Sequence, residues 1–519
     1  MVIKLLRYLL LFFSLFLTLA IPQAAYAHAV LEKAVPAQGS HLPSSPKEIV
    51  LSFNERLESE LFSLKLFDDS GKEASKTKAK LSGDQRQLSL SLPNLANGNY
   101  TISYHVISAD GHPVKGSYMF SIGEGVSNKR TPALLQQDNQ SSTITFAIRI
   151  FYYLALLFVT GWILWGRIAA SEDIKQRNQK TARFLQAAFL IANIGFGISM
   201  ASGYLEQWNM NSIISMLIGT TAGLSWVITV VLSLLGFSIL LRHPWLDRSW
   251  VLLMLVAKSV NGHAFAFEPR LLTISLDVIH LLAAAIWSGG LLYVLLYFKK
   301  FREHIRHFLG VFSKAAFISI MVLVSTGTAA TLLYLPKWQY VFVTQWGTFL
   351  LIKAGLVLLV IVVACIIRYY LKKQNEGPSR RWVQLDFALM LSILCITGIL
   401  TSLSPIPENK PLNWHENVEE MEFTTNILPK VPGTNTFMVE ANSHEEGLGI
   451  KRIELILIYN DNSEVAPIRV PLEGDVQGKY AHFMTDGNYL PFSGNWTVEV
   501  RILDSEDNEK VYQKDFVVY

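Results

Sequence analysis

Three regimes of hydrophobic patterning succeed one another along this chain. Residues 28–123 carry short stretches, such as 49–53, 62–67 and 88–92, in which apolar and polar positions alternate, with turn sequences Asp69-Ser70-Gly71, Ser82-Gly83-Asp84 and Asn97-Gly98-Asn99 between them. A period of two puts one face of each strand into a core, so this region is expected to be an all-β sandwich of the immunoglobulin-like or cupredoxin-like kind. Residues 124–143 lack periodicity, and their Gly, Pro, Gln, Asn and Ser predict a linker. From 144 to 404 the alternation gives way to eight apolar runs: 144–166, 184–205, 213–241, 249–267, 271–298, 315–335, 344–370 and 383–403. Each can supply the roughly 20 residues a helix needs to cross a bilayer, which predicts an eight-helix transmembrane α bundle. Residues 413–519 return to alternation, at 453–459, 468–472 and 496–503, and predict a second β-sandwich.

Residues 1–27 have a different pattern. Lys4 and Arg7 precede an apolar run from Leu9 to Ile21, and Ala25-Tyr26-Ala27 follows. This is the layout of a cleaved signal peptide, and cleavage after Ala27 makes His28 the first residue of the mature chain.

Charge orients the expected helices. Arg167, Lys175, Arg177, Lys180 and Arg183 follow the first span, and Arg242 and Arg248 the third. Lys299, Lys300, Arg302, Arg306 and Lys314 follow the fifth, and Lys372, Lys373, Arg380 and Arg381 the seventh, while the alternate loops hold only Arg270 and Lys337. By the positive-inside rule the basic loops face the cytoplasm, so an even number of spans leaves both β domains outside. The chain is therefore expected to be a multi-pass protein of the cell membrane, with the lipid bilayer as its surroundings. Over 519 residues, 51% apolar and 17% charged content agree with that class, and a net charge of +4 needs no nucleic-acid partner. Both cysteines, Cys365 and Cys395, fall within apolar runs, so neither β domain has a disulfide framework. With no Cys-x-x-Cys pair, a thiolate metal chaperone or a metal-pumping P-type ATPase is disfavoured, and no glycine-rich nucleotide loop is found.

The front of the mature chain carries the first candidate chemistry. An amino-terminal histidine offers its α-amine and ring Nδ1 together, and His112 with Asp110 in Asp110-Gly111-His112 could add an imidazole and a carboxylate. A nitrogen-rich tetragonal set suits Cu(II). Asp-Gly-His is also an ordinary tight-turn sequence. Residues 28–40 and 104–120, however, resemble the CopC family of extracytoplasmic copper-binding domains over about residues 28–123. The resemblance implies that His28, Asp110 and His112 are the Cu(II) ligands. With Met119 the only methionine of the region, it implies no second, Cu(I) site there.

Ionisable residues inside spans cost about 2.5–3.5 kcal/mol on insertion scales, so a cluster of them calls for a functional explanation. Lys258 and His263 fall in the fourth span, Asp277 and His280 in the fifth and Lys353 in the seventh. Asp277, His280 and Trp287 share one helix face, and Gly289-Gly290 allows a neighbour to approach closely. Pairing of Asp277 with Lys258 or Lys353 would also satisfy buried charge. Asn261-Gly262-His263-Ala264 and residues 276–291, with Phe312-Ser313-Lys314, Ser325-Thr326-Gly327, Thr344-Gln345-Trp346-Gly347 and Leu351-Ile352-Lys353, resemble the CopD family of copper transport membrane proteins over roughly 145–405. Gly494-Asn495-Trp496 resembles the YtkA-like domains. The order CopC, CopD, YtkA-like is similar to the YcnJ-like family of CopC–CopD fusion copper transport proteins.

The expected function is copper uptake, not catalysis: Cu(II) captured by His28, Asp110 and His112 and passed to a membrane site built around His263, Asp277, His280 and Lys353. Copper tolerance by sequestration or export is the alternative transport reading, and a membrane haem or copper oxidoreductase the enzymatic one, although no two pairs of facing histidines are evident. Met200, Met210 and Met216 at outer helix ends, and His482 with Met484 in the last domain, are further candidate metal contacts; protein partners are not indicated.

Overall fold

The computed structural model describes residues 29, 31–37, 40–109, 111–123, 143–168, 171–205, 207–335, 337–372, 380–405, 407, 409–418, 421–444, 449–477 and 479–519. The expected signal peptide, and residues 124–142 of the expected linker, lie outside them.

In the first domain the alternating segments become strands: β1 (Leu31–Val35), β2 (His41–Leu42), β3 (Glu48–Phe53), β4 (Ser63–Phe67), β5 (Lys80–Leu81), β6 (Gln87–Ser91), β7 (Gly98–Ile107) and β8 (Pro113–Ile122). They form two four-stranded sheets, ordered β1-β3-β6-β5 and β2-β8-β7-β4. Ile49, Leu51 and Leu88 from one sheet and Leu66, Ile102 and Phe120 from the other share one buried core. The two long central strands, β7 and β8, pair from Gly98↔Ile122 to Ile107↔Pro113, so Ser108, Ala109, Gly111 and His112 belong to the turn at the tip of a hairpin whose strands are ten residues each.

The middle region consists of α1 (Thr143–Trp165), α2 (Glu172–Tyr204), α3 (Met210–Gly219), α4 (Thr221–Ile239), α5 (Pro244–Ser259), α6 (His263–Ala266), α7 (Arg270–Tyr297), α8 (Arg302–Tyr334), α9 (Tyr340–Val343), α10 (Gln345–Lys372) and α11 (Arg380–Leu400). Among the described residues seven of these helices are long and apolar enough to cross a membrane. The fourth expected span, 249–267, requires correction. Its helix, α5, has 16 residues, about 24 Å at 1.5 Å per residue, against roughly 30 Å of hydrocarbon. It stops before Gly262, whose φ of +122° is a conformation that side-chain-bearing residues avoid. Lys258 therefore lies in the last turn of α5, whereas His263 opens the separate one-turn α6.

Short as it is, α5 keeps the up-and-down order. The amino-terminal parts of α1, α7 and α10 and the carboxy-terminal ends of α2, α5, α8 and α11 line one cavity, and the first turn of α4 touches the first β domain beside it. The last domain lies at this end too, where the Tyr519 and Tyr340 rings meet at 6.2 Å. At the other end Arg167 pairs with the buried Asp247 at 2.6 Å and Lys300 with Asp173 at 3.9 Å, so loops rich in basic residues gather away from both β domains.

Glycine sets how closely the central helices pack. A Cβ on Gly161 would lie 2.1 Å from the Ala285 carbonyl oxygen and one on Gly289 2.3 Å from the Gly161 carbonyl carbon, so α1 and α7 touch backbone to backbone. Gly290 takes the Phe312 ring of α8 instead.

In the last domain β9 (Leu412–Val418), β10 (Met421–Leu428), β11 (Gly433–Ser443), β12 (Ile450–Tyr459), β13 (Ile468–Val470), β14 (Glu473–Gln477), β15 (Tyr480–Leu490), β16 (Gly494–Asp504) and β17 (Glu509–Val518) make two sheets, ordered β14-β15-β11-β10-β9 and β13-β12-β16-β17. Phe423, Phe437, Leu455, Trp496 and Val498 fill the core between them. The chain is a multidomain membrane protein in which one all-β domain precedes, and another follows, a helical region in the sequence.

Substituting Gly161 or Gly289 by valine inserts a side chain where backbone already stands. Overpacking of this kind typically costs about 1–3 kcal/mol. Thermal unfolding of the detergent-solubilised protein, followed by tryptophan fluorescence, should show a lowered midpoint for either variant. An unchanged midpoint would show that α1 and α7 are not in contact here.

Candidate functional site

The β7–β8 turn is built to rest on helix ends. Ser108 N–H donates to the His112 carbonyl and Gly111 N–H to the Ser108 carbonyl, both at 2.9 Å, and Gly111 adopts φ +85°. The Tyr204 hydroxyl at the end of α2 donates to the Gly111 carbonyl at 2.9 Å, and a Cβ on Gly111 would lie 2.9 Å from that oxygen. Beside the turn, Ile107 packs with Ala201, Tyr204, Leu205, Met216 and Ala222 in a small apolar cluster. Glu58, 7% exposed, accepts from the Thr221 N–H of α4 at 3.2 Å, a carboxylate at a helix amino terminus. Burial nevertheless raises its carboxyl above the ordinary range, and the Thr221 and Ala222 N–H groups offset only part of that.

His112 is 6% exposed, and its Nε2 lies 2.9 Å from Arg149 Nη2. The same guanidinium donates through Nη1 to the Thr401 carbonyl at 3.0 Å and stands over the Phe196 ring. Of the other expected ligands, His28 and Asp110 lie outside the described residues. Among the described residues no three His, Cys, Asp or Glu side chains gather as a metal-binding cluster.

Below the turn a cavity of about 480 Å³ opens between the helices. Gly111, His112 and Arg149 line its mouth, and Lys258, Asp277, His280 and Lys353 its inner part. Three of the four expected membrane residues thus share one space. The fourth, His263, has its side chain outside the described residues. Lys258 is held in three ways: 3.7 Å from Asp277 Oδ2, donating to the Asn261 carbonyl at 3.3 Å, and over the Tyr153 ring at 5.3 Å. Lys353 has no ion pair or hydrogen bond among the described residues. Of the candidate methionines Met200 lines the cavity, whereas Met216 is in the apolar cluster beside the turn and Met210 is 70% exposed.

His280 Nδ1 lies 2.8 Å from Thr326 Oγ1, whose own hydrogen goes to the Val322 carbonyl at 2.7 Å. The hydroxyl has only that hydrogen, so it accepts from His280 Nδ1–H. The Nε2 lone pair is then left available as a ligand, with Thr326 fixing the ring as an outer-shell partner does. A second cavity of about 90 Å³ continues inward, lined by His280 and Lys353 with Trp287, Leu323, Val357 and Leu394. His280 and Lys353 therefore stand at the neck between a polar vestibule and an apolar chamber.

Sequence reasoning missed Arg149 and Asp386, although both are ionisable residues inside expected spans. Asp386, 6% exposed in α11, leaves Oδ1 without a hydrogen-bond partner. It also missed Glu58, which nothing in the sequence distinguishes from other polar residues, and although Ser325-Thr326-Gly327 stood out as a CopD-like motif, the pairing of Thr326 with His280 was not read from it.

Two family models match the chain: the CopC domain over residues 31–123 and Copper resistance protein D over residues 306–400. The second match leaves out residues 261–291, where much of the sequence resemblance lies. Copper transport protein CutJ of Bacillus subtilis (strain 168) is 26% identical over 96% of this chain and 97% of its own length. Inner membrane protein YebZ of Escherichia coli (strain K12) is 26% identical over 50% of this chain and 97% of its own length. Protein YobA of the same organism is 34% identical over 22% of this chain and 94% of its own length.

Glu58 gives the contact between domain and helices a pH dependence. Its raised carboxyl means that docking takes up protons, so its contribution is fully present below the free-carboxylate range and lost as pH rises through the raised value. Protection of the 107–112 turn against hydrogen exchange, after correction for the slower intrinsic exchange in acid, should therefore rise on mild acidification, and Glu58→Gln should remove that rise. Equal pH dependence in the variant would assign it elsewhere.

Proposed function

We propose that this chain, which belongs to the proteins joining a CopC domain to a CopD domain in one polypeptide, imports copper: the first domain captures Cu(II) outside the cell and delivers it to the membrane cavity. The observation that carries this reading is the shared lining, with His112 at the mouth and His280 at the neck of one space. The name of the Bacillus subtilis relative, a copper transport protein, agrees with it.

Capture uses the α-amine and ring of His28, freed by signal cleavage, with Asp110 and His112. All three protonate in acid, so capture weakens as pH falls. Delivery uses Arg149. Guanidinium groups only donate, so the contact with His112 Nε2 occupies the lone pair on that nitrogen, and the neutral ring then carries its proton on Nδ1. Copper and the docked guanidinium compete for one imidazole, and seating the turn on the helix ends favours release. The released ion meets Asp277 and the His280 Nε2 lone pair, with the apolar chamber beyond. Glutamate and aspartate are sparse along the cavity, which suits a path that must hold its cargo loosely enough to let go.

Deleting the protein should lower cellular copper under limiting supply; raised copper would reverse the direction of transport. His112→Ala should strongly weaken Cu(II) binding by the mature chain, and His280→Ala should leave that binding intact while abolishing accumulation. Arg149→Leu separates docking from capture. A hydrogen bond to a charged group is worth about 1.5–3 kcal/mol, so its loss should slow copper release about tenfold to a hundredfold and reduce accumulation. Release at the normal rate in Arg149→Leu would remove the guanidinium from the mechanism.

A further inference from the structure

The outward face of the five-stranded sheet in the last domain carries an arrangement that the transport path does not use. On β11, Phe437, Val439 and Ala441 turn to the core, so Met438 and Glu440 turn away from it; on β15, Ala481 and Phe483 face inward, so His482 and Met484 face out. The register places Met438 directly across from Met484 and Glu440 directly across from His482. Side chains so opposed have Cβ atoms about 4.5–5.5 Å apart. Met438 is only 8% exposed despite pointing away from the core, so neighbouring side chains close over its thioether. His482 and Glu440 remain about 40% exposed, which leaves an approach from solvent.

Glu440 Oε1 lies 3.1 Å from His482 Nδ1. An ionised carboxylate only accepts, so Nδ1 carries the hydrogen and the Nε2 lone pair is left for a ligand, the carboxylate–histidine pattern that orients metal-bound imidazoles. On the edge strand β14, Asp475 is opposite His482 and Glu473 opposite Met484, adding acidic residues beside the same face. Two thioethers and one imidazole form a soft ligand set, and soft sets select monovalent copper over harder divalent ions.

We propose that Met438, His482 and Met484 bind one Cu(I) ion on the outer sheet of the last domain, with Glu440 as the residue that positions His482. This site goes beyond the import reading and does not depend on it, because none of its residues lies in the first domain or the membrane cavity. It gives the last domain a ligand of its own and gives the chain separate places for the two oxidation states of copper.

The test uses the full mature chain in detergent under anaerobic conditions, titrated with Cu(I) against a chromophoric bicinchoninate competitor. Replacing both methionines (M438L with M484L) nearly conserves volume, which keeps folding intact, and should remove one equivalent of tightly held Cu(I) while leaving Cu(II) binding unchanged. Glu440→Gln should keep that equivalent but weaken it about 10–100-fold, as loss of an outer-shell partner does. The equivalent should persist in His112→Ala and in His280→Ala, which keeps failure of this site distinct from failure of the import reading. An unchanged Cu(I) equivalent in the double methionine variant and in His482→Ala would overturn the proposal.

Discussion

Arg149 stands about two turns into the first membrane helix and reaches three parts of the chain: the His112 ring of the first domain, the Thr401 carbonyl at the end of the last membrane helix, and the Phe196 ring of the second. A cation at this depth is costly unless its donors are satisfied. These acceptors come from elements far apart in sequence, so the guanidinium ties the β domain, α1 and α11 together. The same contact places the expected ligand turn over the cavity mouth. Removing the domain would expose the cavity and withdraw an acceptor from Arg149, which couples the position of the domain to the electrostatics of the path below it.

Deeper in the cavity the same demand is met differently. Lys258 rests on the Tyr153 ring face, the Asn261 carbonyl and the Asp277 carboxylate. The break that produces Asn261 and Gly262 is what frees that carbonyl, so the shortness of α5 and the burial of Lys258 belong together. Irregular backbone at membrane depth is tolerated where it lines a cavity, and this segment does. The Gly161–Gly289 contact presses α1 against α7, which fixes the helix bearing Asp277 and His280 beside the helix bearing Arg149. His280 is then oriented by Thr326 from α8. Three helices position one ring, and the sequence feature behind that positioning is a pair of adjacent glycines.

Much of this architecture is legible in the order of the amino acids alone. Alternation marks both sandwiches, apolar length marks the spans, and the bias of Lys and Arg toward alternate loops agrees with the placement of both β domains at one end. The hidden parts share a cause: they depend on partners distant in sequence. Arg149, one charge near the end of an apolar run, reads as a residue reaching for the headgroups until His112 is seen opposite it. Thr326 is one hydroxyl among many in α8. The break after Ser259 follows from a positive φ at Gly262, whereas the apolar pattern runs on to 267 and implies a continuous helix. His482 and Met484 can be singled out from their spacing along one strand, but Met438 and Glu440 come into view only through strand register.

The neck at His280 is where the charge of the cargo matters most. Above it the cavity offers carboxylate, carbonyl and imidazole groups; below it the lining is Trp287, Leu323, Val357 and Leu394. The cost of moving an ion from a polar to an apolar environment grows with the square of its charge, so a monovalent ion faces roughly a quarter of the barrier a divalent one does. A positive charge on Lys353 at the same neck, partly offset by Asp277 in the same cavity, repels a divalent ion twice as strongly as a monovalent one at any given separation. On the proposed import reading, capture at the front of the chain and passage through this constriction are separate tasks. Passage on that reading favours whichever form of the metal carries the least charge through the neck.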